Sequence, residues 1–514
     1  KLMSTATRVI KNTGYLYAKM GITMFISLYT TRLILNSLGA SDFGIFNIVG
    51  GAIAMLGFLN AAMASATQRF MSYSEGEGNK EKQKSIFNVS LVLHFGIAFA
   101  VGIALLIAGY FFFNGILNIP ADRVFAAQVV YGSLIISTMF TVMTVPYDAA
   151  MNAHENMKYY AIVGILESLL KLTVAFACVY TAKDKLIVYG SLMACIPLVT
   201  LTIMRIYCHK HYEECAISIK RYWNKGLMKE MTSFAGWNFF SSMVTMISAY
   251  GQGIILNSFW GTILNAAHGI SNQINGQLQV LSSNMLKALN PVIAKSAGAN
   301  NVQLFLQSTM IGAKYSAALY SLIAIPIFIQ APYILKLWLV NTPEWTIVFV
   351  RFQLIKTFIE LQFTTLPSSI AATGKIKRYS IYSSISNILQ LPIIYILFSY
   401  GFPPYTMYIA TIIFGNIIVY IIAFFFAKKL YNLPIHAYIK KVLFPLYIPL
   451  SITASTIYII INIIHIQSEL ILLFIITSLS ILIYIITFLA FGCNKEEKIL
   501  VRHFIYKIKS KLSI

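Results

Sequence analysis

The sequence predicts an all-α, polytopic membrane protein of fourteen transmembrane helices: two parallel six-helix repeats, related by a pseudo-two-fold axis along the membrane normal, and a C-terminal helix pair. Three observations predict this fold: the shortage of charge, a series of long apolar stretches, and a repeated segment. Of the 514 residues, 58% are apolar and only 11% are charged, with a mean hydropathy of +0.72. Because soluble domains carry about 25% charged residues, such a chain cannot cover a soluble surface with polar groups.

The apolar stretches give the predicted helices. A stretch of about 20 apolar residues is long enough to cross a bilayer as a helix. The fourteen predicted spans are residues 12–36, 44–67, 86–113, 124–147, 159–181, 186–208, 231–257, 262–286, 302–330, 344–366, 379–400, 404–427, 442–464 and 468–492. Since the first stretch can itself span, we expect no cleavable signal peptide.

The basic residues orient these spans. With a cytoplasmic N-terminus, most of the 39 Lys and Arg residues fall on the cytoplasmic side, in keeping with the positive-inside rule. The four on the other side are Arg123, Lys183, Lys185 and Lys336. We therefore predict that both termini are cytoplasmic. The same rule accounts for the net charge of +22, so we expect no nucleic-acid partner.

A repeated segment indicates an internal duplication. The tetrapeptide Ile34-Leu35-Asn36-Ser37 recurs as Ile255-Leu256-Asn257-Ser258, and the same shift along the chain carries Pro146 onto Pro367. Two separated matches in one register favour duplication over chance. Because each repeat has an even number of spans, both enter the membrane from the same side, and a substrate site is expected between them.

The repeats define the predicted domains. These are an N-lobe of spans 1–6 (residues 1–208), a cytoplasmic basic linker (209–229), a C-lobe of spans 7–12 (230–430), and a segment holding spans 13 and 14 with a basic tail (431–514). We expect the basic cytoplasmic face and tail to lie against anionic lipids.

Charged residues inside the spans are the first candidates for function. Each costs about 2.5–3.5 kcal/mol at a span centre, so its presence needs a reason. The six intramembrane cations are Lys19, Arg32, Lys171, Lys314, Arg351 and Lys356. The three candidate anions are Asp148, Glu167 and Glu360. This excess of positive charge favours a cavity that binds an anion such as a phosphate group, although cations near span ends can also be interfacial anchors.

Two of these anions are spaced four residues from a cation. Glu167 precedes Lys171 and Lys356 precedes Glu360, so that each pair shares a helix face. The spacing is compatible with mutually neutralised structural pairs and equally with a role in transport. Together with Asp148, the two glutamates are candidates for coupling to H⁺ or Na⁺.

Span 8 carries a polar stripe. Six residues recur there at steps of three and four: Asn265, His268, Asn272, Asn275, Gln279 and Ser282. Such a face must meet a partner helix or a wet cavity, because polar groups facing lipid are costly. Six in register favour a cavity wall that binds the hydroxyl groups of a glycan; hydrogen bonding between helices is the alternative.

The sequence lacks the motifs of known catalytic sites. It contains no P-loop, dinucleotide fingerprint, nucleophile elbow or metal-binding helix motif. The five cysteines show no metal-ligand spacing. We therefore expect neither an enzyme nor a cofactor or metal.

Several segments resemble the bacterial polysaccharide flippases of the multidrug/oligosaccharidyl-lipid/polysaccharide exporter superfamily. These are residues 31–47, Gln68-Arg69-Phe70, and Pro146 with Ala149-Ala150. The resemblance implies alternating access around a cationic central cavity, to which Arg32 and Arg69 contribute. It implies that undecaprenyl-diphosphate-linked oligosaccharide passes from the inner to the outer leaflet of the bacterial cytoplasmic membrane, in O-antigen, lipopolysaccharide or capsule synthesis. The expected partners are polysaccharide polymerase and assembly proteins, and the expected functional unit is a monomer.

Three alternatives stay open. A lipid II flippase belongs to the same superfamily. A multidrug/cation antiporter of the same fold would need acidic residues in its cavity, whereas the balance here is basic. A membrane-embedded polymerising enzyme would need a large outer loop, and the longest, near residues 330–343, is short.

Overall fold

The computed structural model describes residues 2–54, 57–116, 119–339, 342–463, 468–495 and 497–499. Within these ranges the chain is helical and contains no strand, which confirms the all-α prediction. The α-helices are α1 (Leu2–Ala54), α2 (Gly57–Glu77), α3 (Lys80–Phe111), α4 (Val124–Ala153), α5 (Met157–Tyr180), α6 (Lys185–His211), α7 (Ile219–Tyr222), α8 (Lys225–Gly298), α9 (Val302–Trp338), α10 (Thr346–Leu361), α11 (Thr365–Ala372), α12 (Lys377–Ser399), α13 (Thr406–Ala410), α14 (Ile418–Tyr431), α15 (Ile435–Tyr438), α16 (Phe444–Ile463) and α17 (Glu469–Thr487).

Ten helical stretches among the described residues are long and apolar enough to cross a membrane. They are Lys80–Asn114, Ala121–Ala153, Met157–Tyr180, Lys185–His211, Lys225–Gly261, Val302–Trp338, Lys377–Ser399, Thr406–Tyr431, Ile435–Ile463 and Glu469–Gly492. These coincide with predicted spans 3–7, 9 and 11–14. The regions of predicted spans 1, 2, 8 and 10 are helical but outside this set, and residues 55 and 56 of span 2 lie outside the described ranges. The count of fourteen thus stays a prediction.

Two long helices are each interrupted at one glycine. Gly39 in α1 has φ 79° and ψ 166°, and Gly261 in α8 has φ 77° and ψ −174°. Only glycine adopts this region of positive φ without strain. The separation of the two glycines along the chain matches, to within one position, the shift between the repeated tetrapeptides. A second pair with positive φ, Gly78 and Asn300, has the same separation as the two glycines.

The chain divides into two compact units. The first comprises Ile10–Ser242 with Ala294–Asn301, and the second comprises Lys1–Val9, Met243–Ile293 and Val302–Ile514. In the first unit α4 packs against α2, α3 and α6. In the second unit α9 packs against α10 and α17. The lobe limits expected from the sequence stay a prediction.

Candidate functional site

Lys19 lies in a mixed-charge cluster within the first compact unit. Its Nζ is 4.4 Å from the centroid of the Tyr160 ring. Its side chain passes so close to α5 that a Cβ on Gly164 would lie 2.2 Å from Lys19 Cε. Asp148 and Glu167 are both within electrostatic range of the Tyr160 hydroxyl. Helices α1, α4 and α5 therefore bring a predicted substrate-binding cation together with two of the predicted ion-coupling acids.

Glu167 and Lys171 form the ion pair that their spacing allows. Lys171 Nζ donates to Glu167 Oε1 at 2.7 Å, and the two side chains are 42% (Lys171) and 40% (Glu167) exposed. The pair is therefore neutralised but accessible. This geometry is compatible with both interpretations made from the sequence.

The two arginines suggested by the family resemblance differ in environment. Arg32 on α1 is exposed and makes no ion pair with any described residue. Arg69 on α2 lies over aromatic rings, with Cζ 4.6 Å from the centroids of Phe70 and Tyr73 and 5.5 Å from that of Phe234. Cation–π contacts of this kind hold a guanidinium in place without removing its charge. Arg32 is thus available to an anion, whereas Arg69 is engaged by its own unit.

Lys314, a predicted substrate-binding cation, forms a buried ion pair within its own compact unit. Its side chain is buried, and Nζ donates to both carboxylate oxygens of Glu497, at 2.6 and 2.7 Å, and to the Gly492 carbonyl at 3.2 Å. Helical spacing relates Lys314 only to residues three or four positions away, whereas its partner is 183 residues further along the chain. Lys314 is therefore neutralised in this structure, and Glu497 must be added to the buried acids.

The charged residues of α10 are Arg351, Lys356 and Glu360, and in the described part of the chain they form no ion pair with one another. Arg351 Nε donates to the Phe328 carbonyl at 3.1 Å. No ion pair joins Lys356 and Glu360 in the described part of the chain, although their spacing permits one. Lys356 is within electrostatic range of His268, and Glu360 is within range of Tyr320. Lys356 and Glu360 therefore interact electrostatically with different neighbouring residues.

Part of the polar stripe of α8 is hydrogen-bonded within the second compact unit. Tyr320 donates to Asn275 Oδ1 at 2.7 Å, and Ser282 donates to the Ser316 carbonyl at 2.8 Å. The side chains of Asn275 and Ser282 are buried. The alternative made from the sequence, hydrogen bonding between helices, accounts for these residues.

His268 is the most constrained member of the stripe. Its Nε2 accepts from Asn272 Nδ2 at 3.0 Å, so its proton resides on Nδ1, which donates to the Tyr408 hydroxyl at 2.8 Å. Tyr408 can then donate to Ser271, which donates to the His268 carbonyl. This closed ring of hydrogen bonds fixes the tautomer of a buried histidine. Asn272 itself is exposed, and Asn265 and Gln279 are half-buried, so these three amides are the members that a ligand can reach.

An ionic clamp near Gly39, the glycine that interrupts α1, was not predicted from the sequence. Arg123 Nε donates to Asp42 Oδ1 at 2.8 Å, and Nη1 donates to Asp184 Oδ2 at 2.6 Å. Asp42 lies three residues after Gly39, and Asp184 caps the N-terminus of α6. The hydrogen bonds from Arg123 lower the pKa of Asp184. The signal in the sequence was an Arg and two Asp residues on three turns assigned to the same side of the membrane.

An ionic network lies at the end of α2. Ligand atoms of Glu75, His154 and Glu214 fall within 4.8 Å of one another, which is close enough to hold a metal. However, His154 faces a different carboxylate with each ring nitrogen, and Lys80 and Lys295 approach Glu75 at 3.4 and 3.8 Å. These ammonium groups already neutralise the carboxylates. The donor set therefore fits an ion-pair network better than a metal centre.

The fold is similar to the folds of solved MATE and MOP superfamily transporters. It is similar to a MATE transporter in the bent conformation (TM-score 0.71, 14% identity, covering 84% of this chain and 97% of that one). It is also similar to an outward-facing multidrug resistance MATE family transporter of the MOP superfamily (TM-score 0.69, 15% identity, 84% and 97%). A third similar structure is a MOP superfamily transporter from Pyrococcus furiosus, described as having a binding pocket of reverse polarity (TM-score 0.68, 15% identity, 84% and 96%).

A comparison of sequences assigns the chain to a narrower group of proteins than the fold does. Residues 9–297 match the family described as "Polysaccharide biosynthesis protein", and the chain belongs to that family. This confirms the resemblance found in the sequence. No curated protein matches the sequence significantly.

Proposed function

We propose that the protein is a flippase that moves undecaprenyl-diphosphate-linked oligosaccharide repeat units from the inner to the outer leaflet of the bacterial cytoplasmic membrane. The observation that carries the proposal is the coincidence of a polysaccharide-biosynthesis sequence family with a MOP superfamily transporter fold. A chain that belongs to glycan synthesis but has the architecture of a transporter is suited to moving the glycan rather than to building it. The proposal includes cytoplasmic termini, a functional monomer and no catalysis.

Charge supports an anionic substrate. Arg32 is exposed on α1, and Lys19 and Lys356 are half-buried cations on predicted spans. A guanidinium binds two oxygens of a phosphate at once, which suits a diphosphate group. Lys314 is not counted among these cations because its ammonium group is already ion-paired with Glu497.

The accessible amides support a glycan. Asn265, Asn272 and Gln279 each offer a donor and an acceptor, which is the pairing that a sugar hydroxyl needs. Their neighbours in the stripe are held by hydrogen bonds within the second compact unit. These bonds fix the helix face from which the three amides project.

A multidrug/cation antiporter is the weaker alternative. It needs acids that are free to bind a cation, and Glu167 is already bonded to Lys171. Asp148, Glu167 and Glu360 remain candidates for coupling to H⁺ or Na⁺. An acid that is ion-paired in this structure can still bind H⁺ or Na⁺ at another stage of transport. A lipid II flippase is the closer alternative because its substrate carries the same diphosphate.

Reconstitution in proteoliposomes tests the proposal. A fluorescent undecaprenyl-diphosphate oligosaccharide should be translocated with unchanged mass, and lipid II should be translocated at least tenfold more slowly. Arg32→Ala should lower the rate, whereas Arg32→Lys should retain part of it. Faster transport of lipid II would identify the alternative substrate, and a change in substrate mass would identify an enzyme. Adding a protonophore or removing Na⁺ identifies the coupling ion.

A further inference from the structure

A cavity of about 520 Å³ lies within the first compact unit, between the start of α3 and the segment that leads into α8. Its volume is within the range of about 300–1,000 Å³ that is usual for small-molecule sites. Tyr222 and Leu227 line it and are buried, whereas Glu81, Arg221 and Glu230 line it and are exposed. The cavity therefore has a base of buried side chains and a charged rim.

The charges that line the cavity balance. They are two acids and two cations, namely Glu81, Lys82, Arg221 and Glu230. Lys82 donates to Glu77 at 2.7 Å, and Glu81 accepts from Lys84 at 3.0 Å. Both of these partners lie outside the lining. Lys82 is therefore neutralised by a neighbour, whereas the exposed Glu81 retains one carboxylate oxygen for a ligand.

Arg221 and Glu230 are the remaining charges of the rim. In the described part of the chain, neither forms an ion pair with another side chain. Arg221 Cζ lies 5.3 Å from the centroid of the Tyr222 ring, a contact that leaves the charge in place. The cavity thus offers one guanidinium group and the carboxylates of Glu81 and Glu230.

A ligand that carries charges of both signs fits this rim. A diphosphate would be repelled by the two carboxylates, and a simple cation would be repelled by Arg221. A guanidinium group binds two oxygens of one phosphate. A primary ammonium group has three N–H donors, which suit the carboxylates. A phosphate joined to a primary amine satisfies both sides of the cavity.

The cavity lies at the level of the lipid headgroups. Ser85 and Glu230 line it, and they directly precede predicted spans 3 and 7. The helical stretches that contain them, Lys80–Asn114 and Lys225–Gly261, are long and apolar enough to cross a membrane. A ligand in the cavity would therefore lie where the polar part of a phospholipid lies.

The chain beside the cavity presents large apolar side chains. Ile219 and Trp223 are 45% and 40% exposed. Asn88 holds this segment against α3, because its Nδ2 donates to the Ala216 carbonyl and its Oδ1 accepts from the Ser218 N–H, both at 2.9 Å. Exposed apolar groups at this depth are suited to contact with acyl chains.

We propose that this cavity binds the headgroup of phosphatidylethanolamine. The phosphate pairs with Arg221, and the ammonium group pairs with Glu81 and Glu230. The acyl chains lie along Ile219 and Trp223, so that the bound lipid ties the segment between α6 and α8 to the membrane. This site is distinct from the expected contact of the basic face with anionic lipids, and it does not depend on what the protein transports.

Photocrosslinking in vesicles tests the site. The full-length chain, with a benzophenone amino acid in place of Ile219, is reconstituted in equal parts of phosphatidylethanolamine, phosphatidylcholine and phosphatidylglycerol with the same acyl chains. Mass spectrometry of the attached lipid should show phosphatidylethanolamine severalfold more often than either of the others. Phosphatidylcholine has the same phosphate but no N–H on its ammonium group, and phosphatidylglycerol has no cation. Equal attachment of the three lipids, or a preference for phosphatidylglycerol, would overturn the proposal.

Two variants test the rim. Glu230→Gln should lower the preference for phosphatidylethanolamine over phosphatidylcholine severalfold, and Arg221→Gln should lower the attachment of both lipids. Glu213→Gln and Lys220→Gln are the matched controls, since both residues are exposed and lie outside the lining. Equal behaviour of Glu230→Gln and Glu213→Gln would contradict the role of the carboxylates.

A soluble competitor distinguishes a lipid from a free ligand of the same chemistry. Glycerophosphoethanolamine carries the headgroup without acyl chains, and it should leave the attachment of phosphatidylethanolamine unchanged when added at the same concentration. Complete competition would show that the cavity takes a water-soluble ligand, and it would overturn the assignment to a lipid.

Discussion

Lys314 and Glu497 form an ion pair that is almost completely removed from solvent, with side chains 5% and 9% exposed. Glu497 also completes a capping box: its backbone N–H donates to Asn494 Oδ1 at 2.8 Å, and its Oε2 accepts from the Asn494 N–H at 2.7 Å. The Glu497 carboxylate thus caps a helical turn after α17 and also neutralises Lys314 of α9. A charge that the sequence assigned to substrate therefore anchors the segment after the last predicted span.

Removing one partner of this pair should destabilise the protein. Glu497→Ala leaves a buried ammonium without its counter-charge, which costs about 3–5 kcal/mol. We expect a clear fall in the midpoint of thermal unfolding in detergent. Replacing both residues, as in Lys314→Met with Glu497→Leu, should restore much of the loss.

The exposed pair Lys336–Glu469 provides the control, since its side chains are 72% and 58% exposed. Surface pairs contribute about 0–1 kcal/mol. Glu469→Ala should therefore leave the midpoint nearly unchanged. Equal effects of Glu497→Ala and Glu469→Ala would contradict the anchoring role.

The Arg123 clamp gives a second prediction. Arg123→Lys keeps the charge but loses the fork that reaches Asp42 and Asp184 at once. Charged hydrogen bonds contribute about 1.5–3 kcal/mol, and partial exposure reduces this, so we expect a loss of about 1–2 kcal/mol in unfolding free energy. Lys183→Ala, an exposed cation on one of the same turns, should have no measurable effect. If Arg123→Lys unfolds like wild type, the two carboxylates do not need the clamp.

The polar stripe of α8 should divide into two functional classes. Ser282→Ala removes the donor to the buried Ser316 carbonyl and should lower stability by about 1 kcal/mol without changing the KM for substrate. Gln279→Ala should raise that KM severalfold and leave thermal unfolding unchanged. The two measurements on purified protein and proteoliposomes separate the classes. A raised KM for Ser282→Ala alone would reverse the assignment.

The helices were predictable because their determinants are local. Apolar runs of span length located the ten stretches. The partners of the charges were not predictable, because helical periodicity compares only residues within about four positions. Arg123 and Asp42 are 81 residues apart, and the pairing of Lys314 depends on the packing of α9 against α17. The Glu167–Lys171 pair was visible because both residues lie on one helix face.

The network around His154 should make stability fall in acid. Burial alone would raise the pKa of Glu75 and Glu214, but His154 and the nearby lysines outweigh it, so both pKa values lie below the ordinary 4.5. A carboxyl group with a lowered folded-state pKa contributes stability that is present above pH 4.5 and is lost as the pH falls through its folded value. Glu214→Gln carries no titratable carboxyl group there, so it should be less stable at neutral pH and show a shallower decline below pH 4.5. Glu81→Gln, at a side chain 65% exposed, should follow the wild-type curve in thermal unfolding measured across pH. Parallel acid limbs for wild type and Glu214→Gln would mean that other groups control acid unfolding.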